Sequence, residues 1–158
     1  MKRNAFTMIE LIFVIVVLGI LAAIAIPRFA ATRDDAQIAK GRSDVSAIRA
    51  AIASERQGRL LQGSGTFINQ LDDGALNTVG ETLFDDNDAN STNGGTLLQY
   101  GIISANANGH WMKTGAATYT YQIMGQPVTF TYTQASGRFT CDRAAAGNAG
   151  LFCQDLID

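Results

Sequence analysis

The chain has 158 residues, 47% of them hydrophobic, and a formal net charge of −2; that length suits one domain, or one domain with an anchor. The charge is unevenly divided: residues 28–59 hold seven basic side chains against four acidic, and residues 60–158 hold three against nine. An acidic C-terminal region repels phosphate backbones, so direct nucleic-acid binding is not expected.

The apolar residues come first. Lys2 and Arg3 precede a run of 22 residues, Phe6 to Pro27, whose one charge is Glu10. As a helix this run rises about 33 Å, enough to cross a bilayer core. Three readings compete. One is a secretory signal peptide cut near Ala23-Ile24-Ala25. Another is a plain single-span anchor. The third is a span whose short leader is removed before the apolar run. Glu10 discriminates among them, because a carboxylate in a span costs up to ~3 kcal/mol near the centre and less near the end. A disposable signal has no use for it. Cleavage between Ala5 and Phe6 would leave a new amine about 6 Å along the helix from Glu10. In side-by-side packing, Glu10 of one copy would neutralise the amine of another and set the register of assembly.

Ala5-Phe6-Thr7-Met8-Ile9-Glu10-Leu11, followed by the apolar run and Pro27, resembles the N-terminus of type IV prepilins and of the pseudopilins of type II secretion systems. Ala5 stands where the family has glycine. The resemblance implies a leader over residues 1–5, cleavage before Phe6 by a prepilin peptidase and N-methylation of Phe6. It implies Glu10 as the assembly carboxylate and Pro27 as the site of a helix kink. The implied partners are the membrane, other copies, related pilin-like subunits and an inner-membrane assembly platform. The implied location is a single pass through the bacterial inner membrane, with the head in the periplasm. Charge counting alone points the other way, since Arg28, Arg33, Lys40 and Arg42 outnumber Lys2 and Arg3.

Residues 28–57 contain no further proline and many alanines, which predicts one helix over 6–57, transmembrane over about 6–27 and ended by Gly58. Ile38, Val45, Ile48 and Ile52 form one stripe of that helix, expected to dock on a sheet. Residues 58–109 are rich in Gly, Asn, Ser and Asp and read as loops. Phe67, Ile68, Leu71, Leu76, Leu83, Phe84, Leu97 and Leu98 are expected to pin those loops to the core. From residue 111 the period changes. Tyr119, Tyr121 and Ile123 alternate with polar residues, and so do Val128, Phe130 and Tyr132 after a turn at Met124-Gly125-Gln126-Pro127. A second turn at Gln134–Gly137 leads to a strand over Arg138–Cys141. The expected fold is α+β: a long N-terminal helix packed on a small antiparallel sheet of three or four strands, with a head over 58–158. The resemblance makes that arrangement pilin-like.

Cys141 and Cys153 read as a disulfide in an exported protein and as free thiols in a cytosolic one. The resemblance adds that many pilins close a C-terminal disulfide loop. His110, beside Trp111, reads as structural. No Ser–His–Asp set, P-loop or GxGxxG is present, so an enzyme is not expected. Asp86, Asp88 and Asn90 match alternating ligand positions of an EF-hand, but Ser91 and Leu97 stand where that motif needs Gly and Glu. A calcium site there is suggested by the resemblance to major pseudopilins; a solvated acidic loop is the alternative. The expected function is a structural filament subunit, first a pseudopilin of type II secretion. The alternative is a surface pilin serving adhesion, motility or DNA uptake. A membrane-anchored or secreted binding module is the alternative of another class.

Overall fold

A computed structural model describes residues 7–85 and 97–158. Helix α1 spans Met8–Leu61. Strands β1 (Thr82–Leu83) and β2 (Ile102–Ile103) form a short antiparallel pair. Strands β3 (Trp111–Gly115), β4 (Thr118–Ile123), β5 (Gln126–Thr133) and β6 (Arg138–Cys141) follow, and helix α2 spans Asn148–Ile157. The four longer strands make one antiparallel sheet in chain order. The fold is α+β. The chain divides into two compact units, residues up to Ala36 and Gln37–Asp158.

In the second unit the alternation of β4 and β5 does what period-2 patterning requires. Tyr119, Tyr121 and Ile123 are buried, as are Val128, Phe130 and Tyr132, while their polar neighbours face outward. Val45, Ile48 and Ile52 of α1 are buried in the same core, and Ile38 packs at its margin. Trp111, Phe84 and Phe139 stand among these side chains with edge-on and tilted ring contacts, the geometry aromatic quadrupoles favour.

Several expectations need correction. The helix passes Gly58 and ends at Leu61. Its stop signal is Gly63, at φ +85°. The Gly63 amide donates to the Leu60 carbonyl (3.0 Å) and the Ser64 amide to the Arg59 carbonyl (2.9 Å), a Schellman cap that needs a left-handed residue at Gly63. Upstream, the Glu55–Arg59 pair (3.1 Å) holds the last turn together. The turn after β4 is shorter than expected. Met124 and Gly125 both have positive φ, so two residues suffice, and Gln126 and Pro127 already belong to β5. Pro127 is tolerated because Gln122↔Pro127 alternates with the pair that closes the turn, so its nitrogen faces away from β4, and β6 does not reach that far. Leu76 is exposed rather than buried. Helix α2 had no counterpart in the expectations. It buries Phe152, Cys153 and Leu156.

Candidate functional site: the apolar helix and its carboxylate

The first nineteen residues of α1, Met8–Ile26, form a helix long and apolar enough to cross a membrane. It would rise about 28 Å. Every large apolar side chain described there is at the surface of the isolated chain. A stripe on one face would mark a core contact, but apolar residues occupy all faces, which suits lipid or close packing against other helices.

Thr7 starts this helix. Its hydroxyl accepts the Glu10 amide (3.3 Å), and its carbonyl accepts the Glu10 and Leu11 amides (3.1 and 3.2 Å). Thr7 is therefore the N-cap and Glu10 the third helical residue, the T-x-x-E spacing of a capping box. The cap satisfies a backbone donor that lipid could not. The carboxylate also sits in the first turn, where the helix dipole favours negative charge. Sequence reading had singled out Glu10 without Thr7, although the T-x-x-E signal was present. Ala5 and Phe6 lie outside the described residues, as do Asp86, Asp88 and Asn90. Among the described residues no group of three His, Cys, Asp or Glu side chains is placed to hold a metal. Helix α1 stays helical through Pro27, which removes only the backbone bond its nitrogen cannot donate.

The remaining candidate residues lie in the second unit. Cys141 and Cys153 are disulfide-bonded, with Cα atoms 5.8 Å apart, and tie β6 to α2. His110 donates through Nδ1 to the Asn108 carbonyl (3.1 Å), a local turn contact. Three basic side chains of α1 find backbone partners within the second unit. Lys40 donates to the Gly109 carbonyl (2.6 Å), Arg42 twice to the Asp155 carbonyl (2.9 and 2.6 Å) and Arg49 to the Phe139 carbonyl (3.0 Å). Tyr121 returns a bond to the Gln37 carbonyl (2.7 Å), and Trp111 donates to Asp44 (3.0 Å). Burial pushes the Asp44 carboxyl above its ordinary range, against the Trp111 bond and the Lys40 charge, which pull it down. Deeper in the core, Lys113 pairs with Asp72 at 2.9 Å and also donates to the Asp72 carbonyl. Burial, followed by the Asp72 charge, pushes the neighbouring Tyr119 phenol far up, so it stays protonated. Contacts spanning 41 to 113 residues leave no local pattern to read.

Residues 1–26 match the family described as the prokaryotic N-terminal methylation motif. The chain is 47% identical over 53 residues to the type IV narrow pilus major component PilA5 of Thermus thermophilus, covering 34% of this chain and 46% of that protein. It is 39% identical over 51 residues to type II secretion system core protein G of Pseudomonas aeruginosa, covering 32% of this chain and 36% of that protein. The chain thus matches less than half the length of either relative. No solved structure matches it significantly. The N-terminal segment is a prepilin-type methylation motif, and the α+β fold that follows is pilin-like.

Proposed function

We propose that this chain is a non-enzymatic structural subunit of a type IV pilus-like filament, held in the bacterial inner membrane before assembly with its head in the periplasm. The carrying observation is an all-round apolar helix whose one charge, Glu10, sits in its capped first turn within the methylation motif. In this reading a prepilin peptidase cuts between Ala5 and Phe6, Phe6 is methylated, and Glu10 pairs with the amine of a neighbouring copy. Pro27 is where the helix loosens on assembly. Other copies and related subunits pack through the same helix, and an inner-membrane platform drives the process.

Mass spectrometry of the mature N-terminus tests this. A methylated Phe6 is the expected result. A start at Ile26 would indicate a conventional signal peptide, and an intact Met1 a plain anchor; either would defeat the proposal.

Within the class, the first reading is a pseudopilin of type II secretion, supported by the likeness to core protein G and by a simple head built on one four-stranded sheet and a short two-stranded pair. Asp86, Asp88 and Asn90 would then offer oxygen ligands to Ca²⁺. Titration calorimetry giving no heat with millimolar Ca²⁺ would remove that site. The second reading, a surface pilin, is favoured by the Cys141–Cys153 loop and the likeness to PilA5. Deleting the gene should abolish protein secretion under the first reading and surface fibres under the second.

A further inference from the structure

Residues 60–158 hold three cations against nine acidic side chains, so a cation left unpaired there is unexpected. Lys113 pairs with Asp72, and Arg143 pairs with Asp158 (2.6 Å). Arg138, the third, meets no carboxylate among the described residues. Arg49 of α1 is in the same position. Its Nε donates to the Phe139 carbonyl (3.0 Å), and among the described residues no carboxylate pairs with its guanidinium. Both arginines line one open recess of about 350 Å³, together with Phe139 and Thr140.

The strand order explains why these donors meet. Arg138 and Thr140 are two residues apart on β6, so their side chains share its outer face, while Phe139 between them is buried in the core. Strand β6 is an edge of the four-stranded sheet. The Tyr132 amide donates to the Ala117 carbonyl (2.8 Å), so the Tyr132 backbone bonds towards β4. Its partner across β5 and β6, Phe139, therefore points both its carbonyl and its amide away from the sheet. Arg49 takes that carbonyl, and the Phe139 amide faces the same edge.

Two guanidiniums at one recess repel each other, and neither sheds its proton. Burial, followed by the charge of Arg143, pushes Arg49 below its ordinary range, as expected of a cation without compensation. A single carboxylate would answer one of the two charges. A doubly charged oxyanion would answer both, accepting from a planar fork on each side, with the Thr140 hydroxyl in the same recess. The acidic residues of the head favour a small compact ion over a long polyanion.

We propose that the Arg49–Arg138 recess binds a doubly charged tetrahedral oxyanion, of the inorganic phosphate or phosphomonoester kind. This site is independent of the filament reading. The test is titration calorimetry of the full-length chain in non-ionic detergent with inorganic phosphate, at constant ionic strength and a pH where phosphate is a dianion. Saturable binding of one ion per chain is expected. Arg138→Gln, at an exposed position, should weaken it about tenfold while circular dichroism stays unchanged. Arg49→Lys keeps the charge and loses the fork, and should weaken it by a similar factor. Dimethyl phosphate carries one charge, like the phosphodiester of a lipid headgroup, and should bind about tenfold more weakly than phosphate. Equal binding of the two would overturn the assignment to a dianion. Heats that do not saturate, or an Arg138→Gln chain that binds phosphate like wild type, would overturn the site itself.

Discussion

Gly41 marks a close approach of α1 to Tyr121 and Leu156. A Cβ there would stand 2.5 Å from a Tyr121 ring carbon and 2.6 Å from Leu156. The ring cannot easily yield, because its hydroxyl is tethered to Gln37. Gly41→Ala is therefore expected to destabilise the head by about 1–3 kcal/mol through overpacking, measured by denaturant unfolding. Unchanged stability would mean that α1 shifts freely. Asp44 makes a prediction about pH. Its folded-state carboxyl binds a proton more tightly than the unfolded one, so its contribution favours folding more as pH falls from neutral towards the ordinary aspartate range. Asp44→Asn keeps an acceptor for Trp111 and should flatten that part of the stability–pH curve. Lys113→Met leaves Asp72 as a buried charge without its partner, at a cost of about 3–5 kcal/mol. Adding Asp72→Leu should recover much of that loss, and equal losses in both variants would show that the ion pair is not the cause.

At the scale of elements, α2 depends on two attachments of different kinds. The Cys141–Cys153 bond closes a short loop to β6, and Arg42 holds the Asp155 carbonyl near the helix end. Replacing both cysteines by serine is expected to cost about 3 kcal/mol in the chain-entropy picture. Hydrogen exchange should show the loss first in the amides of α2, while the β4–β5 hairpin, held by its own ladder and the aromatic core, stays protected. Uniform loss across the sheet would instead mean that α2 and the sheet unfold as one unit. The capped ends of α1 are local by comparison. Thr7 and Gly63 each act within one turn, through backbone groups that any sequence must satisfy.

On the proposed filament reading, assembly and folding rest on different residues. Glu10 lies in the unit ending at Ala36, and the aromatic core lies in the unit beginning at Gln37. Glu10→Gln should thus abolish filaments while leaving the denaturation midpoint of the head unchanged. Lys113→Met should lower the midpoint whatever it does to assembly. A Glu10→Gln chain that assembles like wild type would remove the carboxylate from the assembly mechanism. The split charge also has a structural meaning at this scale. Three cations of α1 serve as donors to head carbonyls, Lys40 to Gly109 before β3, Arg42 to Asp155 of α2 and Arg49 to Phe139 of β6, each a charge-assisted bond between distant segments.

Much of this protein was legible because its signals are local. The apolar run, Glu10 and the methylation motif occupy adjacent residues, and the alternation in β4 and β5 repeats every second position. Even the missed Thr7 cap was written three residues from Glu10. Gly63 was hidden behind the earlier Gly58, because propensity marks a possible stop and only the backbone bonds mark the actual one. Helix α2, the Asp72–Lys113 pair, the Gly41 contact and the exposure of Leu76 were not legible. Each depends on which distant segments meet once the sheet and α1 have packed, and the sequence carries no period for that. Sequence by itself determined the membrane-competent helix, its carboxylate and the strands. Tertiary structure alone decided where the cations of α1 end and which surfaces stay open, because packing between distant segments assigns partners that local patterns do not encode.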